Sequence, residues 1–207
     1  MRKYLIPLSG ALLVVLAGCS ETTQTAEKKA PEKLEPLTGQ TALYKMFQVA
    51  RSWAGPDTEV LKMTSGFLSQ ASDVPRGKAA LWQATFTSAS RGQARSYTYS
   101  IVEDLPANLH RAVFAGLEEG WSGSSGVNTP FLIAAVKVDT DAAYQTALGQ
   151  AADYEKKSPG KPISLLLEKN QKFPDPVWRV IWGESVGTSN FSIFVDASTG
   201  LFLEKMH

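Results

Sequence analysis

The chain has almost no cysteine or histidine, and this limits the chemistry open to it. Of its 207 residues, one is a cysteine, Cys19, and two are histidines, His110 and His207. A disulfide within the chain is therefore impossible, and a cysteine-based zinc site cannot be built. Two distant histidines without an H-E-x-x-H motif do not make a transition-metal site, and no phosphate-binding glycine loop occurs. We therefore expect no metal and no cofactor.

A marked excess of one charge is also absent. The 21 Lys and Arg residues face 20 Asp and Glu residues, the net charge is +1 at pH 7, and no basic run is longer than two residues. A nucleic-acid-binding surface needs a basic patch, so we expect no nucleic-acid partner. Hydrophobic residues make up 43% of the chain, which allows a core that holds together without cross-links.

No apolar run is long enough to span a membrane, but a shorter one opens the chain. Two basic residues precede an apolar stretch over residues 4–16, and the sequence LAGC follows at residues 16–19. A basic start, an apolar centre and a small-residue end are typical of a secretory signal. A spanning helix would need roughly 20 apolar residues.

The LAGC sequence resembles the lipobox of bacterial lipoproteins. The resemblance implies that Cys19 is linked to diacylglycerol, becomes the new N-terminus and is acylated there, for instance with palmitate. Because Ser20 rather than an aspartate follows, it also implies transfer to the outer membrane, facing the periplasm. Several acyl chains give stable anchoring where one gives only marginal binding. The alternative is an ordinary secretory signal in which Cys19 is incidental.

Composition divides the rest of the chain. Residues 20–40 contain no aromatic side chain and are rich in Thr, Glu, Lys and Pro, a composition that cannot bury enough apolar surface to fold. Two similar segments follow. The predicted boundaries are a signal peptide at 1–18, the lipidated cysteine and a flexible tether at 19–40, a first module at 41–117, a Gly/Ser-rich connection at 118–130, and a second module at 131–207.

Each module is predicted to be one helix followed by short strands. Thr41 and Asp141 are good N-caps for the two helices, and Gly55-Pro56 and residues 158–160 are stop signals. Strand-like alternation follows at residues 78–88, 95–103, 109–116, 163–169, 176–184, 190–197 and 200–206, with a further strand-like run at 131–138. We expect an α+β fold of two tandem modules, each a helix packed on an antiparallel sheet of about four strands.

Three segments of the second half carry a family resemblance. They are VKVDTDAAYQTA (136–147), VWRVIW (177–182) and FSIFVDASTGLFLE (191–204). Together they resemble the PepSY and PepSY-like family, small cystatin-like α+β modules of bacterial envelopes and protease propeptides. The resemblance covers about residues 136–205, and the first half fits only in outline because it lacks the Asp-x-x-Thr-Gly turn. It implies a non-catalytic module that binds a protein, sometimes a peptidase that it holds inactive, and it supplies no catalytic residues.

One short motif suggests a different chemistry. The sequence Gly183-Glu184-Ser185-Val186-Gly187 fits the G-x-S-x-G pattern of serine hydrolases, and Asp196 and His207 follow in the order such enzymes use. A nucleophile elbow needs a helix after the serine, whereas turn residues and then strand alternation follow here. The sequence favours a hairpin, with a serine hydrolase using Ser185 as the alternative.

Trp121 is the candidate binding residue. It lies in the polar segment EEGWSGSSG at residues 118–126, where an exposed tryptophan can anchor an interface or can equally pack between the two halves. The function we expect is non-catalytic binding or scaffolding in the cell envelope, by a protein held to the membrane through its N-terminal lipid. The expected partner is an envelope protein or peptidase. A structural lipoprotein associated with cell-wall glycan is a further alternative.

Overall fold

The structure is a computed structural model, and it describes residues 34–71, 73–126 and 128–207. The predicted signal peptide, Cys19 and the tether as far as residue 33 lie outside the described residues. Within the described ranges, no helix is both long enough and apolar enough to cross a membrane. The helices are α1 (Gly39–Ala54), α2 (Thr140–Gln150) and α3 (Ala152–Lys157).

Helix α1 forms because its apolar residues recur at helical spacing. Leu43, Met46 and Ala50 are fully buried on one face, as the pattern predicts. The helix ends before Gly55, whose φ of 72° is a conformation that a residue with a Cβ rarely adopts. The predicted stop at Gly55-Pro56 is therefore confirmed, and the stop at residues 158–160 is confirmed by the end of α3.

The predicted helix starts are wrong, because Thr41 and Asp141 both lie inside helices. Asp139 supplies the cap for both. Its Oδ1 accepts hydrogen bonds from the backbone N–H of Thr140, at 2.7 Å, and of Gln40, at 2.9 Å. A cap that comes from the other half of the chain satisfies the free amides of α1 but leaves no local signal in the sequence.

The described residues also form ten strands. Two short ones pair with each other, β1 (Leu37–Thr38) and β3 (Lys78–Ala79). The other eight form one antiparallel sheet: β2 (Thr58–Gly66), β4 (Leu81–Ser88), β5 (Gln93–Ser100), β6 (Ala112–Gly120), β7 (Ile163–Glu168), β8 (Val177–Trp182), β9 (Ser192–Asp196) and β10 (Phe202–Met206).

The order of the large sheet is β10-β9-β8-β7-β2-β4-β5-β6. Each half of the chain contributes four neighbouring strands, and the first strand of each half, β2 and β7, pairs with the other in the centre, where Thr64 lies opposite Leu166. Helix α1 packs on β2, β4, β5 and β6, and α2 packs on β8 and β9. The α+β class is thus confirmed, but the halves share one continuous sheet and one core, so the fold does not separate clearly into two modules.

Strand β2 is not predicted by the sequence pattern. A β-bulge shifts its register between Val60 and Lys62, so the buried residues Val60 and Met63 are three apart rather than two or four. A bulge places an extra residue in one strand and breaks the alternation of its side chains. The period-two signal that marked the other strands is therefore absent from the strand that joins the halves.

The strand expected at residues 131–138 is not formed either. Phe131 makes one bridge to Val60, through backbone hydrogen bonds of 2.9 Å in each direction. The chain then turns through a 3₁₀ helix at Ile133–Ala135. Beyond this bridge β2 is already paired with β7 from Lys62 to Thr64, so no free edge is left for a longer strand. Phe131, Ile133 and Val136 are buried in the common core instead, whereas Leu132 is exposed.

Two fully buried tryptophans hold the starts of the helices onto the sheet. The indole N–H of Trp82 in β4 donates to the carbonyl of Leu37, at 3.0 Å. The indole N–H of Trp178 in β8 donates to the carbonyl of Val138, at 2.8 Å. Each acceptor lies two residues before the first residue of its helix. The same contact therefore occurs once in each half.

Candidate functional site

Ser185 lies in the connection between β8 and β9. It precedes a 3₁₀ turn at Val186–Thr188, after which the chain enters β9. The Ser185 hydroxyl is 2.9 Å from the Thr188 hydroxyl, and the Ser185 N–H donates to that same oxygen at 3.1 Å. These contacts close a turn of the kind that serine and threonine commonly form. The connection is that of a hairpin, and no α-helix follows the serine.

Asp196 and His207 are likewise engaged elsewhere. Oδ1 of Asp196 accepts from the N–H groups of Ser198, at 2.7 Å, and Thr199, at 2.8 Å. The ring of His207 lies 5.2 Å from that of Phe191. Among the described residues, no hydrogen bond joins Ser185, Asp196 and His207. The arrangement needed for a base to activate the serine is therefore not assembled.

Trp121 follows β6 directly and is half-buried. Its backbone N–H donates to the carbonyl of Gly92, at 2.9 Å, which ties it to the turn between β4 and β5. Cys19, the predicted lipid attachment site, lies outside the described residues. His110 stacks on Phe114 with ring centroids 3.8 Å apart. Across the described ranges, no group of three or more His, Cys, Asp or Glu side chains is placed to hold a metal ion.

A groove of about 360 Å³ lies on the sheet face opposite the helices. We call it the open-face groove. The central strands build its floor, and the connection after β8 builds one wall. Its lining residues are Lys62, Thr64, Gln83, Thr85, Ser164, Leu166, Ile181, Glu184, Ser185, Val186 and Gly187. Its volume falls within the range of roughly 300–1,000 Å³ typical of small-ligand sites.

The open-face groove combines an apolar floor with unpaired polar groups. Ile181 is buried although it faces away from the helices, and Leu166 beside it is half-buried. Lys62, Gln83 and Glu184 are exposed, and their side chains make no hydrogen bond or ion pair with another described residue. A small number of polar groups that converge on an apolar surface is typical of ligand-binding sites. The lining contains no aromatic ring, so the stacking surface that a glycan-binding groove would need is missing here.

A second polar cluster lies beside the groove on the same face. Burial raises the pKa of Glu168 above its usual value, while the nearby Arg179 and a hydrogen bond from Asn170 oppose the rise. Nε of Arg179 donates to the Ser192 hydroxyl at 2.9 Å, and its guanidinium lies over the ring of Phe194. The cluster's polar groups satisfy one another, unlike Lys62, Gln83 and Glu184 of the groove.

The other candidate surface is the edge strand β10. Its far side has no neighbouring strand within the described part of the chain. Four large apolar side chains are exposed at this edge: Leu201 (66%), Phe202 (39%), Leu203 (38%) and Met206 (40%). An unpaired edge offers free N–H and C=O groups to an incoming strand. The opposite edge, β6, carries acidic residues, and Arg91 and Arg95 lie beside its Glu118.

Comparison with known proteins gives no match. No family model, no curated protein and no solved structure matches the chain.

Sequence reasoning anticipated the turn around Ser185 but not the open-face groove. Thr64, Gln83 and Thr85 are the polar positions of alternating strands, and such positions normally face solvent. The only available signal was Ile181, an apolar residue at an outward position of β8, which indicates that something covers it. The connection at residues 184–187 lines the groove together with Ile181, and the folding back of that connection cannot be deduced from its own residues.

Proposed function

We propose that the protein is a lipid-anchored, non-catalytic binding protein of the cell envelope. In this proposal it holds an extended segment of another envelope protein, such as a peptidase, at the edge of β10. The observation that carries the proposal is the exposed apolar edge of that strand. Natural proteins usually protect edge strands with charges, bulges or covering loops. Strand β10 has a bulge between Phe202 and Glu204, but four large apolar side chains remain exposed beside its unpaired backbone.

Strand addition is the binding mode that suits such an edge. A peptide that adds to a sheet gains backbone hydrogen bonds, and the alternate side chains beside the edge set its specificity. Leu203 and Met206 provide apolar contacts, and Lys205 provides a positive charge, whereas Glu204 is already paired with Lys172. We expect the bound segment to be extended and partly apolar.

The proposed lipid anchor and the proposed location in the cell envelope are both based on the resemblance of residues 16–19 to a lipobox. If Cys19 carries the lipid, residues 20–33 separate it from the first described residue, Leu34. Fourteen residues reach about 50 Å at full extension. The fold would then be able to reach a partner well away from the inner surface of the outer membrane.

We also infer that the two halves follow one plan, as tandem PepSY-like modules would. Three observations support this inference: in each half a main helix precedes four neighbouring strands of the large sheet, the first of these strands in each half pair with each other in antiparallel fashion, and Trp82 and Trp178 make equivalent contacts. The second half is the one whose sequence resembles the family. A two-fold relation between the halves would place the open-face groove near its axis, at Thr64 and Leu166.

The test is site-specific crosslinking in intact cells. A photoreactive phenylalanine derivative replaces Leu203 in the full-length chain. We expect one predominant adduct with another envelope protein, because the reactive group would lie inside the interface. The same derivative in place of Leu117, which is 88% exposed on the opposite edge, should give no such adduct. The change Cys19→Ala should abolish the Leu203 adduct by removing the anchor.

Three results would contradict the proposal. They are the absence of an adduct from position 203, identical adducts from positions 203 and 117, and an adduct formed only with a second copy of this chain. The last result would make β10 a dimer interface instead.

A further inference from the structure

The open-face groove is separate from the β10 edge. It spans β4, β2, β7 and β8, and β9 lies between it and β10. It therefore needs its own occupant, and its lining residues indicate the chemical class.

An apolar group of the ligand would contact the floor. Leu166 and Ile181 form an apolar surface in the centre of the groove, and Val186 overhangs it from the connection after β8. Val186 is itself 42% exposed. Covering Leu166 and Val186 removes apolar area from water, which favours binding, whereas Ile181, at 2% exposed, adds contact but little area. A small aliphatic side chain would fit between the floor and the overhanging valine.

Opposite charges stand at the two ends of the groove. Lys62 lies across from Glu168 at the end of β7, whereas Glu184 follows Gly183, which bridges to Ile163 at the start of β7. Glu168 and Ile163, which mark the two ends, are five residues apart along β7, or about 17 Å at the rise of a strand. Both side chains line the same groove, so their charged ends can approach a ligand from opposite directions.

We propose that the open-face groove binds a short peptide with both termini free, about three residues long. Its carboxylate pairs with Lys62, its ammonium group pairs with Glu184, and its central aliphatic side chain lies on Leu166 and Ile181. Gln83 and Thr85 provide amide and hydroxyl groups within reach of the peptide bonds. Three extended residues span about 10 Å, which leaves room for the two protein side chains at the ends. A ligand of a single charge would leave either Lys62 or Glu184 unpaired.

The test uses the full-length chain in detergent and the tripeptide Ala-Leu-Ala, with binding measured by calorimetry. Three forms of the peptide are compared: free at both ends, N-acetylated, and C-terminally amidated. We expect saturable binding of the free form, and about tenfold weaker binding of each blocked form, because each loses one charge-assisted contact.

Two variants then assign the ends. Lys62→Gln should weaken binding of the free peptide about tenfold, and amidation of the peptide should then have no further effect on affinity. Glu184→Gln should weaken binding of the free peptide by a similar factor, and acetylation should then have no further effect. Both residues are exposed, so the fold should be kept, and thermal unfolding would verify this. The changes Lys45→Gln and Glu119→Gln, at exposed charges outside both the groove and the β10 edge, should leave all affinities unchanged. Absence of saturable binding, or equal losses for all three peptide forms in either groove variant, would overturn the proposal.

Discussion

One carboxylate connects the two halves of the chain. Oδ1 of Asp139 accepts hydrogen bonds from the N–H of Gln40, the second residue of α1, and of Thr140, the first residue of α2, and Oδ2 accepts one from the Thr38 hydroxyl, at 2.6 Å. An N-cap usually serves one helix. Because this one serves two helices that begin 101 residues apart, the loss of a single side chain should weaken both halves.

We expect Asp139→Ala to lower the free energy of unfolding by about 2 kcal/mol or more, since each lost cap costs roughly 0.5–2 kcal/mol. Asp141→Ala is the matched control. Its carboxylate accepts only the N–H of the next residue, Ala142, so its loss should cost less than about 1 kcal/mol. Urea denaturation of both variants measures the difference. Equal losses would show that Asp139 does not cap both helices.

At the scale of elements, the start of α1 is packed against the centre of the molecule. The N–H of Gly39 donates to the Thr140 hydroxyl at 2.7 Å. A Cβ at Gly39 would lie 2.5 Å from Thr140 Cγ2 and 2.7 Å from the ring of Trp178. The approach of the two helix starts therefore requires a residue without a side chain at this position.

The pair Gly39→Ala and Gly149→Ala tests this packing within helices. Alanine is favoured over glycine in a helix by up to about 1 kcal/mol. Gly149 has open space around it, so its replacement should raise the melting temperature. At Gly39 overpacking should dominate, and we expect a loss of about 1–3 kcal/mol. A stabilised Gly39→Ala variant would mean that the helix starts are less tightly packed.

An element could be predicted when the residues that define it are neighbours in the sequence. Helices α1 and α2 and seven of the large sheet's strands are indicated by local apolar spacing. The stop signals of α1 and α3 are local too, whereas the break between α2 and α3 at Ala151 was not predicted. Strand β2 was not predicted because its bulge breaks the alternation of its side chains. The cap of α1 was not predicted because it comes from Asp139, far along the chain. The open-face groove depends on a connection that folds back over Ile181. In each failure the decisive contact joins residues that are distant in sequence.

At the scale of the whole molecule, the halves share both a sheet and a core. The pairing of β2 with β7 continues the sheet from one half into the other. The buried cluster includes residues of both halves, among them Trp82 and Trp178. Neither half could expose the shared surface without losing part of its own core, so the described fold should unfold as one unit.

We therefore expect one denaturation transition with a common midpoint for both halves, measured by hydrogen exchange on peptides from β5 and β9. Trp82→Phe should lower that midpoint in both strands. The change leaves the Leu37 carbonyl without its partner, at a cost of about 1–3 kcal/mol. If Trp82→Phe lowered the midpoint for the β5 peptides but not for the β9 peptides, the halves would be independent folding units.

The position of β1 determines how the fold would respond to tension on its N-terminal end. The segment from Glu35 to Thr38 is held by the Tyr99 hydroxyl, the Trp82 indole and the Asp139 carboxylate, and by its pairing with β3. A pull at Leu34 would thus be shared between both halves from the start. Neither edge strand would be peeled away first, so the β10 edge would keep its shape under strain.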